Sequence, residues 1–593
     1  MWNVSWLSSK RTSFYLFQIF PKTKFLHAPV SICTTALRAQ SSNSTYPARR
    51  VKMSKRDEPS HPETQHPSTK RAKEIDASTP YDELKSGLAD QESLKEVRKV
   101  LHWFRSKDLR IHDNRALNAA STLAAESKSA LICAYVNCPA EFRWHGTSPA
   151  RTDFIFENLR LIKTELEELN IPLVFLEASE RDELVPTISK FIHDNGISHV
   201  FGNFEYEIDE LRRDIKLLKN ANDADSKTKG FHVSLHHDQT VMEPGTMLTG
   251  AGKPMKVFTP YHKAWMAEVK SNPSLLDTVP APSANSSEAK KELEAFFDSP
   301  VPNTPKEKQF ANDDEKSRIR KLWPAGHNAA LKRLQEFLSD KIADYAATRS
   351  NPAMDSTSRL SAYFSAGVLS VREALDAVRK QNSDSADFST SGCDAGASSW
   401  VRELVFRELY RQTTVTSPHT AMNLPQNLKF DFVHWEDDEE GYRRWEEGTL
   451  GVPFVDAGMR QIRSEAYMHN RLRMNVSSYL YCNLLIDYRR GERYFAETLI
   501  DWDLSNNTQG WEPGYTVFNP VSQAEKNDPD GEYIRKWVPE LKDVKGKAVF
   551  DPYHRMDKDE FEKLGYPAPY VDWSETKQRA IERFKSDMKD AEP

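Results

Sequence analysis

The sequence predicts an α/β doubly wound parallel-sheet domain followed by an all-α domain. Three observations predict it. Between residues 97 and 240, short β-branched apolar runs alternate with helix-period stretches, the pattern of a parallel sheet covered on both faces. Beyond residue 325, helix formers dominate and β-branched runs become rare. At 593 residues, the chain exceeds the usual size of one core.

In chain order, the first segment stands apart. Residues 1–56 contain no Asp or Glu, while Lys10, Arg11, Lys22, Lys24, Arg38, Arg49 and Arg50 are spread among Ser, Thr, Phe and Leu. That is the composition of a mitochondrial transit peptide, expected over residues 1–52. Residues 53–96 are expected to be disordered. They start at an internal Met53 and carry the clusters Lys55-Arg56 and Lys70-Arg71-Ala72-Lys73, a bipartite pattern compatible with nuclear import. Nucleus and mitochondrion are therefore the expected compartments.

The α/β domain spans 97–240, with strands read at 97–104, 130–136, 172–176, 199–204 and 232–236 and helices at 116–126, 153–169, 181–195 and 209–218. No GxGxxG follows the first strand, so the common dinucleotide fingerprint is absent. An interdomain linker is expected over 241–325, where residues 280–316 turn to Pro, Ser, Ala and charges. The helical domain is 326–553, from helix-period stretches at 331–347, 371–380, 400–413, 445–447, 453–465, 470–485 and 492–499. A Ser/Gly/Asp-rich stretch at 381–398 reads as an exposed insertion, and 554–593 as a helical tail.

Composition narrows the function classes. A net charge of −6 gives no bulk attraction for nucleic acid, so any phosphate-binding face is a local patch. Five cysteines without a CxxC pair argue against zinc ribbons and a secreted disulfide framework. No apolar run is long enough to span a bilayer.

Three stretches carry the chemistry. Asp355-Ser-Thr-Ser-Arg-Leu-Ser361 gathers hydroxyls and a guanidinium before an apolar helix, suited to an ordinary N-cap or to phosphate. On a helix through 400–411, Trp400, Glu403 and Arg407 share one face, and Phe406 and Tyr410 the next, so ionisable and aromatic groups line a common stripe. His469-Asn-Arg-Leu-Arg-Met474 and Asp501-Trp-Asp-Leu-Ser-Asn-Asn507 supply the carboxylates and amides that a flat heteroaromatic ring needs around its edge. No spacing fits a metal or a hydrolytic nucleophile.

With these motifs, the chain resembles the photolyase/cryptochrome family from about residue 97 to 552, most closely the class I cyclobutane pyrimidine dimer photolyases. The resemblance implies FAD in the helical domain. Tyr345, Thr357, Ser358, Arg359, Leu360 and Ser361 would contact its phosphates and ribityl chain, and Trp400 and Arg407 would line the cavity. Arg473, Asp501, Trp502 and Asp503 would surround the ring, with Asn507 facing flavin N5. Implied catalytic residues are Glu403, Asn470, Met474 and Asn507. Ultraviolet-damaged DNA would meet Glu403, Phe406, Arg407, Tyr410, Asn470 and Arg471, and Tyr467-Met-His-Asn470 favours the cyclobutane dimer over the (6-4) lesion. The implied partner is DNA, the protein a monomer without membrane contact. The alternative is a cryptochrome-type photoreceptor that binds FAD without repair.

Departures from the family pattern are legible too. Phe406 replaces a lesion-stacking Trp, and the segment 511–519 lacks the stretch bearing a second one, so that either Tyr515 substitutes or residues have been lost at a splice site. The light-driven electron chain maps to Trp511, Tyr488 and Trp435, with Tyr in the middle. Asn203-Phe-Glu-Tyr-Glu207 resembles the edge of a pocket for a 5,10-methenyltetrahydrofolate antenna, but Met422 stands where a cation is common; a deazaflavin, or no antenna, are the alternatives.

Overall fold

A computed structural model describes residues 64–222, 230–589 and 591–593. The targeting segment and the Lys55-Arg56 cluster lie outside the described residues. Strands β1 (Lys99–Phe104), β2 (Ala130–Asn137), β3 (Leu173–Glu177), β4 (Ile197–Asn203) and β5 (His232–His236) form one parallel sheet in the order β3-β2-β1-β4-β5. Alternate residues of β1 serve opposite faces. Val100 and Phe104 join the core beneath helices Arg115–Ser127 and Pro149–Glu168, and Leu101 and Trp103 join that beneath Leu184–Asp194 and Ile208–Asn222. The strand order reverses between β1 and β4, which creates a crevice at their carboxyl ends.

Four boundaries differ from those read in the sequence. Within 53–96, expected to be disordered, helices Thr69–Ala77 and Pro80–Ala89 are formed. Tyr81 and Leu84 are buried against the helix Ile208–Asn222, and the Gln91 amide both donates to and accepts from the backbone of Val233, closing the free edge of β5. Lys70, Arg71 and Lys73 thus sit on the exposed face of a folded helix. Three buried residues in nine and in ten positions, few of them strongly apolar, are too few for a periodicity to stand out against the polar composition. Within the linker 241–325, the helix Phe258–Ser271 buries Trp265, whose indole donates to Glu408 at 2.7 Å. The insertion 381–398 is anchored by buried Phe388, with the Asn382 amide donating to the carbonyls of Ser385 and Gly392. Beyond 553, the helix Trp573–Lys589 packs Ala580, Phe584 and Met588 into the main helical core, so this segment belongs to the domain and is not an appended tail.

The α/β and helical halves are clamped by buried charge. Arg372 pairs with Asp113 at 3.0 Å and with Asp238 at 2.7 Å, and Arg110 joins Asp238 from the other side. Burial raises the Asp238 carboxyl, but the two guanidinium groups outweigh it and hold it at about 2. Gly367 completes the seam: its φ is +68° and a Cβ there would stand 1.9 Å from the Lys107 carbonyl.

Candidate functional site

The long helix Ala395–Thr416 runs through the helical half with almost every residue buried, so its polar side chains must face partners or a cavity. They face a cleft with two lobes. Ser361, Phe364, Arg473 and Asp501 border both, and the ion pair Arg473–Asp501, at 2.7 Å, stands at their junction. Arg473 also donates to the Met468 carbonyl at 2.8 Å, which fixes its plane.

The wider lobe is walled by Tyr345, Thr357, Ser358, Arg359, Leu360, Trp400, Glu403, Asn470 and Arg471. The hydroxyl cluster is not an N-cap: the short helix Ser361–Ser365 is preceded by Leu360 and has no side-chain cap, which leaves Thr357 and Ser358 on the cleft. Arg359 holds a left-handed backbone, φ +47°, with its guanidinium 5.3 Å from the centre of the Tyr467 ring. Glu403 is ion-paired with Arg349, a residue that motif reading missed although it lies one turn after Tyr345. His469 caps the helix Asn470–Ser478 by accepting from Arg471 N through Nδ1 at 3.2 Å. Burial, then the neighbouring Arg471, lowers its pKa to about 3, so the ring is neutral. His469 Nε2, Asn470 Oδ1 and Arg471 Nε are buried without hydrogen-bond partners among the described residues.

The narrower lobe is walled by Arg407, Asp501, Trp502, Asp503, Asn506 and Asn507. Asp503 caps the helix Leu504–Gly510 and is ion-paired with Arg411, a second residue missed from the sequence; burial raises its carboxyl, yet Arg411 and Arg407 hold it at about 2. The Asn507 amide nitrogen donates to the Glu492 carbonyl at 2.9 Å, which orients the amide on the wall of the lobe. Asn506 Oδ1 is buried without a partner among the described residues. A ligand rich in donors and acceptors along one flat edge would satisfy these orphaned atoms, as a flavin nucleotide does.

Several expected DNA contacts are not placed to meet DNA in the cleft. Phe406 is buried and stacks on Phe258, outside both lobes, because the unforeseen helix Phe258–Ser271 covers that face. Tyr410, one turn on, is buried as well. Arg407 is buried and donates to the Gln239 and Phe364 carbonyls, so it builds the wall and does not reach for phosphate; burial lowers its pKa to about 9. Met474 lies under Arg471, whose guanidinium is 3.8 Å from its sulfur, and does not line the cleft. Tyr515 is exposed beside Phe430 and Met588 and does not fill the place of the missing stacking residue. Trp435 and Tyr488 touch, ring centres 6.1 Å apart, and Trp511 has ring contacts with Trp445 and Phe495.

A second cavity opens at the carboxyl end of the sheet, between β1, β2 and Trp502, with Lys107, Glu205 and Glu210 on its wall. Asn203 lies deeper, its amide committed to Asp108 and Asn114, and so forms no pocket edge. Met422 packs against the helical core. Among the described residues no group of His, Cys, Asp and Glu could hold a metal ion, and no helix is long and apolar enough to cross a membrane.

Residues 400–586 match the family described as the FAD binding domain of DNA photolyase, and residues 100–283 the family described as DNA photolyase. A deoxyribodipyrimidine photo-lyase of Neurospora crassa is 40% identical over 530 residues, 85% of each chain. A mitochondrial deoxyribodipyrimidine photo-lyase of Saccharomyces cerevisiae is 29% identical, covering 84% of this chain and 88% of its own. Among solved structures, a class III photolyase from Agrobacterium tumefaciens aligns with a TM-score of 0.71 and 28% identity, covering 84% of this chain and all of that one. Identity of this extent, on a parallel sheet joined to a helical domain with a polar two-lobed cleft, means that the chain belongs to the DNA photolyase family.

Proposed function

We propose that this protein repairs cyclobutane pyrimidine dimers in DNA by light-driven electron transfer, with FAD in the two-lobed cleft. The observation that carries the proposal is the pair Glu403–Arg349 on the wall of the wider lobe, beside Asn470 Oδ1 and Arg471 Nε, which have no hydrogen-bond partner among the described residues. FAD, when bound and reduced, supplies a one-electron donor to the lesion under light. The residues of this chain do the rest. Asn507, oriented by its bond to the Glu492 carbonyl, presents its carbonyl oxygen to N5, an acceptor for N5–H that does not take up a proton as a carboxylate would. Arg473 and Asp501 hold the ring edge, and Thr357 and Ser358 the phosphates. Glu403 hydrogen-bonds the lesion, and the charge of Arg349 offsets the negative charge that develops on it. A lesion within stacked DNA must be flipped out to reach this lobe, a step made cheaper by its weakened pairing. Arg471 serves the flanking phosphate, so that binding weakens with salt. A 5,10-methenyltetrahydrofolate antenna, a monomeric state, and nuclear and mitochondrial location complete the proposal, the last supported by the acid-free amino-terminal composition.

The second reading, a photoreceptor without repair, is favoured by the burial of Phe406 and the remote place of Tyr515, which remove two stacking surfaces for a lesion. The test illuminates reduced holoprotein with oligonucleotides bearing either a cyclobutane dimer or a (6-4) lesion. Light-dependent loss of the cyclobutane dimer alone supports repair. Bound FAD with neither lesion lost overturns it in favour of photoreception.

A further inference from the structure

Resting on the reading of FAD in the cleft, we propose that light-driven reduction of the flavin draws its electron from Tyr442 through Trp445 and Trp511, bypassing Tyr488, with Glu446 taking the phenolic proton. The three rings touch in succession. Trp511 and Trp445 are 6.1 Å apart between ring centres, and Trp445 and Tyr442 are stacked at 5.9 Å. Trp511 is pressed against the helix Tyr488–Thr498 at Gly491, where a Cβ would stand 2.2 Å from its ring. Trp445 is fully buried and donates its indole N–H to the Val476 carbonyl at 3.0 Å, an acceptor that cannot take the proton, so an oxidised Trp445 keeps its charge and passes it on.

Tyr442 can end the relay because its hydroxyl has a carboxyl close by, in a groove open to solvent. The hydroxyl donates to the Arg490 carbonyl at 3.3 Å, and the Glu446 carboxyl, four residues on along the helix Glu439–Glu447, interacts with it in the same groove. Arg490 covers the ring at 3.8 Å, but its charge is matched by Glu439 through two hydrogen bonds. Tyr442 and Glu446 line an open groove together with Arg143, Trp144 and Tyr494, within reach of a dissolved reductant. Tyr488 is the reverse case. Its hydroxyl is buried without a hydrogen-bond partner among the described residues, so its oxidation would leave a protonated phenol radical with nowhere to send the proton.

The step balances as follows. One electron passes from Trp511 to the light-excited oxidised flavin, one from Trp445 to Trp511, and one from Tyr442 to Trp445, while the phenolic proton moves to the Glu446 carboxylate. A dissolved thiolate then returns one electron to the tyrosyl oxygen, Glu446 returns the proton, and the thiyl radical leaves.

The test compares wild type, Trp445→Phe, Tyr442→Phe and Tyr488→Phe, each loaded with oxidised FAD and quantified by flavin absorbance. Flash illumination is expected to give a neutral tyrosyl radical in wild type and in Tyr488→Phe, and none in Tyr442→Phe. Steady photoreduction with a thiol is expected to fall about tenfold in Trp445→Phe. Tyr442→Phe keeps the stacked ring and carries the test where Trp445→Phe disturbs the core. Loss of the tyrosyl signal in Tyr488→Phe with its survival in Tyr442→Phe would overturn the route. Absence of FAD from all four proteins would instead overturn the reading on which it rests. Repair by chemically reduced variants separates the two, since it needs bound flavin but not the relay.

Discussion

Replacing Asn507 by Asp tests the polarity of the narrower lobe. The wild-type amide nitrogen donates to the Glu492 carbonyl at 2.9 Å in a buried setting. An ionised carboxylate would face that carbonyl as acceptor against acceptor, costing about 1–3 kcal/mol for the lost bond and unpaired group. A protonated one could donate in its place. Burial beside Asp503, held ionised near 2, raises the pKa of the new carboxyl. The sign follows: a group whose folded pKa is raised contributes stability below its unfolded pKa of about 4 and loses it as pH rises, at up to about 1.4 kcal/mol per unit. Urea midpoints of the flavin-free protein should therefore place Asn507→Asp about 1 kcal/mol below wild type at pH 5, and about 2–4 kcal/mol below it at pH 8. An equal deficit at both pH values would refute the donor role given to the Asn507 nitrogen.

Other perturbations follow from the same contacts. Asp501→Asn leaves the buried Arg473 charge unpaired, so stability should fall by about 3–5 kcal/mol and the protein should purify without FAD, both read by unfolding and absorbance. His102 is fully buried, and burial lowers its pKa from 6.5 to about 3. The unfolded chain takes up the proton first, so its contribution is present above pH 6.5 and lost as pH falls; His102→Leu should reduce the acid sensitivity by about 1.4 kcal/mol per pH unit between 6 and 4 in unfolding measurements. Arg471→Ala should weaken binding of lesion DNA and lower the salt slope of the affinity by about 1 in a fluorescence titration.

The sheet was legible because parallel strands buried on both faces are apolar along most of their length, which left little ambiguity at 130–136. The cleft was legible for a different reason. Carboxylates, amides and aromatics gathered in 400–411, 469–474 and 501–507 have no place in a plain core, so Trp400, Glu403, Arg473 and Asp501 stand out in the sequence. Tertiary cover was not legible. Phe406 reads as cavity-facing by helical period alone, and only the helix Phe258–Ser271, inside a stretch taken for linker, decides that it is buried. Arg349 and Arg411 were missed because an ion-pair partner is set by contacts between elements, Arg349 with Glu403 and Arg411 with Asp503, and no spacing announces it. The helix Thr69–Ala77 escaped for a similar reason. Its buried residues, Thr69, Ala72 and Ile75, gain their value from the surface of His419 and its neighbours, and Asp76 is hydrogen-bonded to the His419 ring at 2.7 Å.

The central claim is that an electron is lent to the lesion and returned. The direct measurement is the number of cyclobutane dimers lost per bound flavin when the reduced holoprotein is illuminated without added reductant. The account predicts many dimers repaired per flavin, none in the dark, and no net oxidation of the flavin. Loss of no more than one dimer per flavin, or equal loss in the dark, would contradict it.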